Sequence, residues 1–302
     1  MKLATLNDGS RDGLLAVVSR DLASAHFAVG IASRLQDLLD DWNFISPQLE
    51  DLYATLNGGK ARHAFAFDPR HCMAPLPRAY RCVVAEVGPD DKPRLVEAAG
   101  DDGRGGCDDV MLDAGDDEVQ AGDDEAGEDA AQHEAGHEAG HAGGQAAVSE
   151  PGLAVVTGEV AARATAGQAL DGVRLLLLTH RWHHADGRGG ATAYGPVAST
   201  LDEAGAAWQR GRLHLPLEAL LNQEPPARIE VAAALRWSFG SLVARLARER
   251  PVHAGTLVGC PALGPARAAL HDGDHIRLEI VGADGHSLCG AIDRRVVATR
   301  AR

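Results

Sequence analysis

Residues 153–178, LAVVTGEVAARATAGQALDGVRLLLL, decide the fold, because two apolar runs there flank a short polar stretch. Apolar runs of four to eight residues bounded by glycine are typical of buried strands. Between them, residues 168–170 (QAL) have the composition of a helical turn. The stretch therefore predicts strands at 153–157 and 173–178, joined through one turn of helix.

The N-terminal region predicts a small unit of strands and helices. Residues 2–6 alternate in apolar character, an Asn-Asp-Gly-Ser turn follows, and residues 14–18 are apolar, which indicates a hairpin. A first helix follows from apolar residues at helical spacing, Leu35, Leu38, Leu39 and Trp42. A second helix is predicted to begin at Ser46-Pro47 and to end at Gly58.

Changes in composition suggest four regions. A Pro-rich connector at 74–77 ends the first region, and residues 100–149 are dominated by Gly, Ala, Asp and Glu. That acidic stretch buries too little apolar surface to offset its ordering entropy, so it is predicted to be disordered. The expected boundaries are 1–76, 77–99, 100–149 and 150–302, the last including a helix near 242–246 and a hairpin of 276–280 with 288–292.

Composition excludes several classes of protein. The formal net charge of −14 repels phosphate backbones, and no cluster of Lys or Arg offsets it, so nucleic acid is not an expected partner. No apolar run approaches the ~20 residues of a membrane span, and the start lacks the apolar stretch of a secretory signal, which favours a cytoplasmic protein. Five scattered cysteines suggest neither a disulfide framework nor a zinc ribbon.

Several phrases resemble a known family. They are residues 2–10 (KLATLNDGS), 41–57 (DWNFISPQLEDLYATLN), 74–78 (APLPR) and 273–296 (GDHIRLEIVGADGHSLCGAIDRRV). The chain is similar in these phrases to the bacterial branch of the fumarylacetoacetate hydrolase family, which has a small N-terminal domain. The resemblance implies an α+β fold with a mixed β-roll, a homodimer, and a role in aromatic amino-acid catabolism.

The same resemblance implies a metal-dependent reaction. Family members hold Mg²⁺ or Ca²⁺ on carboxylates, and the cation chelates a 2,4-diketo acid while water attacks its distal carbonyl. Hard cations prefer oxygen ligands, so the carboxylates are essential to this chemistry.

The carboxylates of the family map only partly onto this chain. Its Glu-x-Glu pair precedes the strand matched by residues 153–156, so Glu150 takes the first position and Gly152 the second. A third carboxylate, in an Asn-Asp phrase, aligns with His180-Arg181. Glu150 is thus the predicted metal ligand, and an arginine beside a cation is disfavoured by Coulomb repulsion.

The catalytic groups of the family have no counterpart here. Residues 82–94 contain no histidine to act as the general base, and residues 183–190 are too few to replace the Lys-bearing substrate loop. Losing several members of a catalytic group together removes most of the rate enhancement, so we assign no catalytic residue. The sequence leaves three hypotheses: a diketo-acid hydrolase with weak or lost activity, a non-catalytic binding protein on the same fold, and gene decay, in which the Ala-, Gly-, Asp- and His-rich repetition no longer encodes a selected segment.

Two histidine-rich stretches are candidate metal sites. Residues 133–141 repeat the HExxH spacing, but interior glycines cost a helix ~1 kcal/mol each, so a solvated tract is the favoured interpretation. His180, His183, His184 and Asp186 form a compact group that suits a transition metal, with a solvated loop again favoured.

Overall fold

The computed structural model describes residues 1–98, 110–112, 147–184, 191–264 and 267–298. Most of the acidic stretch 100–149 lies outside these ranges, as do the HExxH repeats and Asp186. Its predicted disorder and the four region boundaries therefore stay predictions.

The strands and helices have the following bounds. The strands are β1 (Lys2–Leu6), β2 (Leu14–Val18), β3 (Ser24–Phe27), β4 (Phe65–Ala66), β5 (Arg81–Val87), β6 (Pro93–Glu97), β7 (Val110–Leu112), β8 (Ala147–Thr157), β9 (Val173–His184), β10 (Ala191–Tyr194), β11 (Ala198–Thr200), β12 (Trp208–Gln209), β13 (Arg212–Leu213), β14 (Pro216–Leu221), β15 (Ala227–Glu230), β16 (Thr256–Cys260), β17 (Arg267–Leu270), β18 (His275–Ile280) and β19 (Ile292–Ala298). The helices are α1 (Leu35–Asp40), α2 (Trp42–Asn57), α3 (Ala166–Asp171), α4 (Val231–Ala234) and α5 (Phe239–Leu246).

A large mixed sheet runs in the order β4-β3-β2-β1-β11-β9-β8-β16-β5-β6. The pairs along this path are antiparallel except β16 with β5, which is parallel. A second sheet has the order β15-β14-β18-β19-β7. The N-terminal hairpin joins the large sheet directly, because β1 pairs with β11.

The four consecutive leucines of β9 are explained by packing on both faces of the sheet. Leu175 and Leu177 belong to a core that includes the apolar sides of α1 and α2. Leu176 and Leu178 belong to another core, formed with α3, α5 and the second sheet. A strand covered on both faces is apolar without alternation, so the run that suggested a buried strand reflects its central position.

The predicted α+β fold with a mixed sheet is confirmed, and so are the first hairpin and the helical turn at α3. The predicted start of the second helix at Ser46-Pro47 is wrong. The helix begins at Trp42 and contains Pro47, because Asp41 already accepts a backbone hydrogen bond from Ile45 at 3.0 Å. The last strand begins at Ile292 rather than at Leu288.

Within the described residues, no helix combines the length and apolar character needed to cross a membrane.

Candidate functional site

A cavity of about 480 Å³ opens where β5, β8 and β9 meet the loop after β16. It is lined by Ala85, Glu86, Val87, Glu150, Arg181, His183, Ala234, Arg236, Trp237, Cys260, Pro261 and Ala262. We call this cavity the cleft. Its acidic and basic side chains stand among small apolar ones, as in a small-molecule site.

The strand register decides which side chains reach the cleft. In the antiparallel β8–β9 pair, Glu150 is opposite Arg181 and Val148 is opposite His183. Directly opposed residues of a strand pair share a face, and neighbours along a strand alternate. Glu150, Arg181 and His183 therefore form one face, the cleft face.

The same register places Ser149, His180 and Trp182 together on the opposite side, which we call the buried face. Ser149 and His180 are buried, and Trp182 is 8% exposed. Consecutive residues of the sequence thus enter two different environments.

The cleft face brings a guanidinium close to two carboxylates. Arg181 Nη1 lies 3.9 Å from Glu150 Oε2 and 3.8 Å from Glu86 Oε1. His183 Nε2 lies 3.5 Å from Glu150 Oε1. Arg94 Nη2 donates a hydrogen bond of 2.9 Å to Glu86 Oε2. Both carboxylates are therefore flanked by basic side chains.

Glu150 is only partly satisfied by these neighbours. Its side chain is 16% exposed, and its Oε2 atom is buried with no hydrogen bond to a described residue. A buried carboxylate oxygen without a donor is costly, so this atom is open to a further donor or cation.

Gly152, the position of the second family carboxylate, has no room for a side chain. A Cβ atom built there would lie 2.5 Å from Thr179 Oγ1, 3.0 Å from the Cys260 carbonyl oxygen and 3.1 Å from Pro261 Cα. Two of these three neighbours are backbone atoms, which cannot rotate away. The packing around the cleft has closed over this position.

The described residues do not make up a site for a hard divalent cation. Such a cation takes six or more oxygen ligands, of which carboxylates supply the negative charge. Across the described ranges, no group of three or more His, Cys, Asp or Glu is arranged to hold a metal ion. One carboxylate of the expected set is present at Glu150, position 152 is closed, and a guanidinium faces Glu150.

The structure separates the histidines that the sequence placed in one cluster. His180 lies on the buried face and His183 on the cleft face, and the segment is strand through His184 rather than the predicted loop. His180 Nε2 is 2.8 Å from Ser149 Oγ. Burial, together with the nearby Arg294 cation, lowers the pKa of His180 to about 3, so its imidazole is neutral.

Sequence reasoning missed Glu86, Arg236 and Trp237, which line the cleft from β5 and from the segment after α4. A signal existed only for Glu86. It is the one carboxylate in the strand 81–87, near the strand's end, where ligand sites commonly form.

The fold and the cleft define an α+β protein with a small-molecule cavity at the end of a mixed sheet. The sequence-family model for the fumarylacetoacetase N-terminal domain 2 matches residues 1–78. The sequence-family model for the fumarylacetoacetate hydrolase C-terminal domain matches residues 139–297. The chain therefore belongs to the fumarylacetoacetate hydrolase family.

Solved structures agree on the fold. The chain is similar to maleylpyruvate hydrolase from Sphingobium sp. SYK-6, crystallised with manganese (II) ion and pyruvate, at a TM-score of 0.67 and 18% identity, covering 99% of this chain and 100% of that one. It is also similar to fumarylacetoacetate hydrolase from Exiguobacterium antarcticum, at a TM-score of 0.63 and 16% identity, with coverage of 99% and 100%.

A third similar structure is a probable 2-hydroxyhepta-2,4-diene-1,7-dioate isomerase from Mycobacterium abscessus, at a TM-score of 0.65, 16% identity and full coverage of both chains. Comparison with curated protein sequences found no match. The similar structures thus include hydrolases and an isomerase on one fold.

Proposed function

We propose that this chain is a fumarylacetoacetate hydrolase family member that does not carry out metal-dependent cleavage of 2,4-diketo acids and that binds a small acidic ligand in its cleft. The observation that supports this proposal is the position of Arg181. Its guanidinium lies between Glu150 and Glu86, where it balances the negative charge that would otherwise attract a cation.

Electrostatics favour the guanidinium over a divalent ion. Two unit charges 4 Å apart interact by about 4 kcal/mol at the effective dielectric of a protein surface. A divalent cation beside Arg181 would meet that repulsion for each of its two charges. With Gly152 unable to supply the second carboxylate, binding of Mg²⁺ or Ca²⁺ by Glu150 alone is unfavourable.

The basic side chains of the cleft suit a small carboxylic acid. Arg181 and Arg236 both line it, and planar guanidinium groups bind carboxylates through paired hydrogen bonds. Arg236 pairs with the exposed Asp91, so a ligand carboxylate would have to replace that exposed ion pair. Trp237 adds an aromatic wall, which favours a ligand with a planar or apolar part. We propose a diketo-acid-like ligand, and by family resemblance a homodimer.

A second candidate, residual hydrolysis, is favoured by one observation. Glu150 Oε2 is buried without a hydrogen bond from a described residue, and Glu86 offers a second carboxylate in the same cleft. If Arg181 moved, these two groups would be open to a cation.

Turnover assays separate the two candidates. Purified protein would be incubated with Mg²⁺ or Mn²⁺ and the loss of diketo-acid absorbance followed for fumarylacetoacetate and simple acylpyruvates. We expect no turnover above that of the metal alone. Turnover that Glu150→Gln abolishes would show that the chain is a metal-dependent hydrolase and our proposal wrong.

Metal binding provides a test that does not depend on substrate. We expect free Mn²⁺, followed by its electron paramagnetic resonance signal, to remain unbound with the wild-type chain. Arg181→Asp replaces the guanidinium by a carboxylate opposite Glu150 and should gain Mn²⁺ binding. Arg62→Asp, an exposed change outside the cleft, is the control and should gain none. Wild-type Mn²⁺ binding that is lost in Glu150→Gln would contradict the proposal.

A further inference from the structure

A second concave surface, which we call the arginine groove, has a volume of about 650 Å³ and lies beside the start of β5. Its basic members are Arg81, Arg94, Arg245, Arg248, Arg250 and His253, and its acidic members are Glu97 and Glu249. The volume is within the range of about 300 to 1,000 Å³ that small-molecule sites occupy.

Three of the arginines have free guanidinium groups. Arg81 pairs with Glu97 at 2.7 Å, and Arg94 pairs with Glu86 at 2.9 Å. Arg245, Arg248 and Arg250 are exposed, and none forms an ion pair within the described part of the chain. Cations near a helix C-terminus stabilise the helix by about 0.3 to 1 kcal/mol each, but that role does not use their hydrogen-bond donors.

The net charge of the chain does not oppose an anion at this groove. Residues 99–146 contain fifteen Asp and Glu and one Arg, so they account for the whole formal net charge of −14. The formal charges of the remaining residues sum to zero, and the arginine groove is a place where basic side chains of these residues gather. The groove brings together arginines from separate segments of the chain, which the charge pattern along the sequence does not predict.

An aromatic side chain stands beside the free arginines. Tyr80 is 64% exposed, and its ring meets the His253 ring edge-on, with centroids 5.1 Å apart. Both residues line the groove. An exposed aromatic ring next to guanidinium groups is suited to stack a planar ring while the arginines bind oxyanions.

The groove is distinct from the cleft. Arg81 begins β5 and Glu86 lies near its other end, about 17 Å away along an extended strand. Among the residues that the structure describes, Arg94 connects the two, since it lines the groove while donating to Glu86.

We propose that the arginine groove binds a small organic phosphate with a planar ring, of the nucleoside diphosphate class. Arg248 and Arg250 bind the phosphates through charge-assisted hydrogen bonds, and Tyr80 stacks on the ring. This site is independent of the function proposed for the cleft.

Calorimetric titration of the full chain at low salt, without divalent metal, tests the proposal. ADP should bind, adenosine should not, and pyrophosphate should bind at least about fivefold more weakly than ADP, because stacking of one base on an aromatic ring contributes roughly 1 to 3 kcal/mol. Tyr80→Ala should weaken ADP to the level of pyrophosphate and leave pyrophosphate unchanged.

The double variant Arg248→Ser with Arg250→Ser should weaken ADP and pyrophosphate alike, by at least about tenfold, while Arg11→Ser, an exposed arginine of the first hairpin turn, should change neither. Absence of ADP binding to the wild type at millimolar concentration, or equal binding by the double variant, would overturn the proposal. A single-stranded oligonucleotide that binds far more tightly than ADP would also overturn it, in favour of nucleic acid.

Discussion

Each face of the β8–β9 pair carries a histidine, and the two histidines differ in burial and in their neighbours. The buried face holds His180 with no exposed surface, kept neutral by burial and hydrogen-bonded to Ser149. The cleft face holds His183, 19% exposed and beside Glu150. His180 and His183 are only three residues apart on β9, yet the first is packed in the core and the second lies in the charged cleft.

This difference indicates which of the two faces can change its charge without loss of the fold. The buried face, together with Leu176 and Leu178 of β9, packs against the second sheet, so changes there are costly. The cleft face contributes little to that packing, and charge there can change from carboxylate to guanidinium at small cost in stability. Function can be lost from one face while the other remains intact.

The largest expected effect is on the buried face. His180→Ala removes a buried ring and its hydrogen bond to Ser149, and should lower the free energy of unfolding by about 3 kcal/mol. His183→Ala, the matched change on the cleft face, should cost less than about 1 kcal/mol. Urea denaturation followed by tryptophan fluorescence measures both. Equal losses would show that the two faces do not differ as described.

A smaller effect is expected at the closed position of the cleft face. Gly152→Ala places a Cβ against Thr179 and the backbone of Cys260, and should cost about 2 kcal/mol through overpacking. Gly167→Ala, within α3 and with no atom near its Cβ position, is the control and should be neutral or stabilising by up to about 1 kcal/mol. A neutral Gly152→Ala would mean that the cleft still has room for a second carboxylate.

The pH dependence of stability should report His180. Its pKa is lowered in the folded chain to about 3, so between that value and the ordinary 6.5 the unfolded chain binds more protons. Stability from this group is present above pH 6.5 and falls with decreasing pH, by about 1 kcal/mol between pH 7 and 5.5. Comparing wild type with His180→Gln isolates this contribution from the other histidines. An identical pH profile for the two would contradict the buried, neutral state.

The smallest effect should follow removal of the cleft guanidinium. Arg181→Gln keeps a polar side chain of similar length, and its ion-pair distances of 3.8 and 3.9 Å are long, so stability should fall by less than about 0.5 kcal/mol. Thermal unfolding measures the change, with Arg228→Gln as the surface control. A loss above about 2 kcal/mol would show that Arg181 holds the fold together, and that its presence says little about metal binding.

Much of the fold could be predicted from local sequence patterns. The first hairpin follows from the alternating run 2–6, a turn and the apolar run 14–18. The strands β8 and β9 follow in part from apolar runs bounded by glycine. These signals are local, because turn chemistry and apolar periodicity act over a few residues. The same local signals failed at Ser46-Pro47, where the earlier residues were already helical.

The candidate site was predictable only in part. Glu150 and Arg181 were each reached by alignment with carboxylate positions of the family, and both residues line the cleft, but their opposition across β8 and β9 comes from the structure. Glu86, Arg236 and Trp237 come from separate segments, and no spacing in the sequence relates them to Glu150. The arginine groove was missed for the same reason, since β5, β6 and the segment after α5 meet only in the folded chain.

Sequence patterns alone predicted strands at 153–157 and 173–178, the family, and the absence of a carboxylate at position 152, whereas the structure begins β8 at Ala147 and includes Glu150 in it. The structure extends β9 through His184, beyond the predicted strand, and strand alternation then places His180 and Arg181 on opposite sides. Only the tertiary structure decided which side is which, because the second sheet, α3 and α5 cover the face of His180 while the cleft opens on the face of Arg181. Burial is a property of what packs against a strand, and those partners are distant in the sequence.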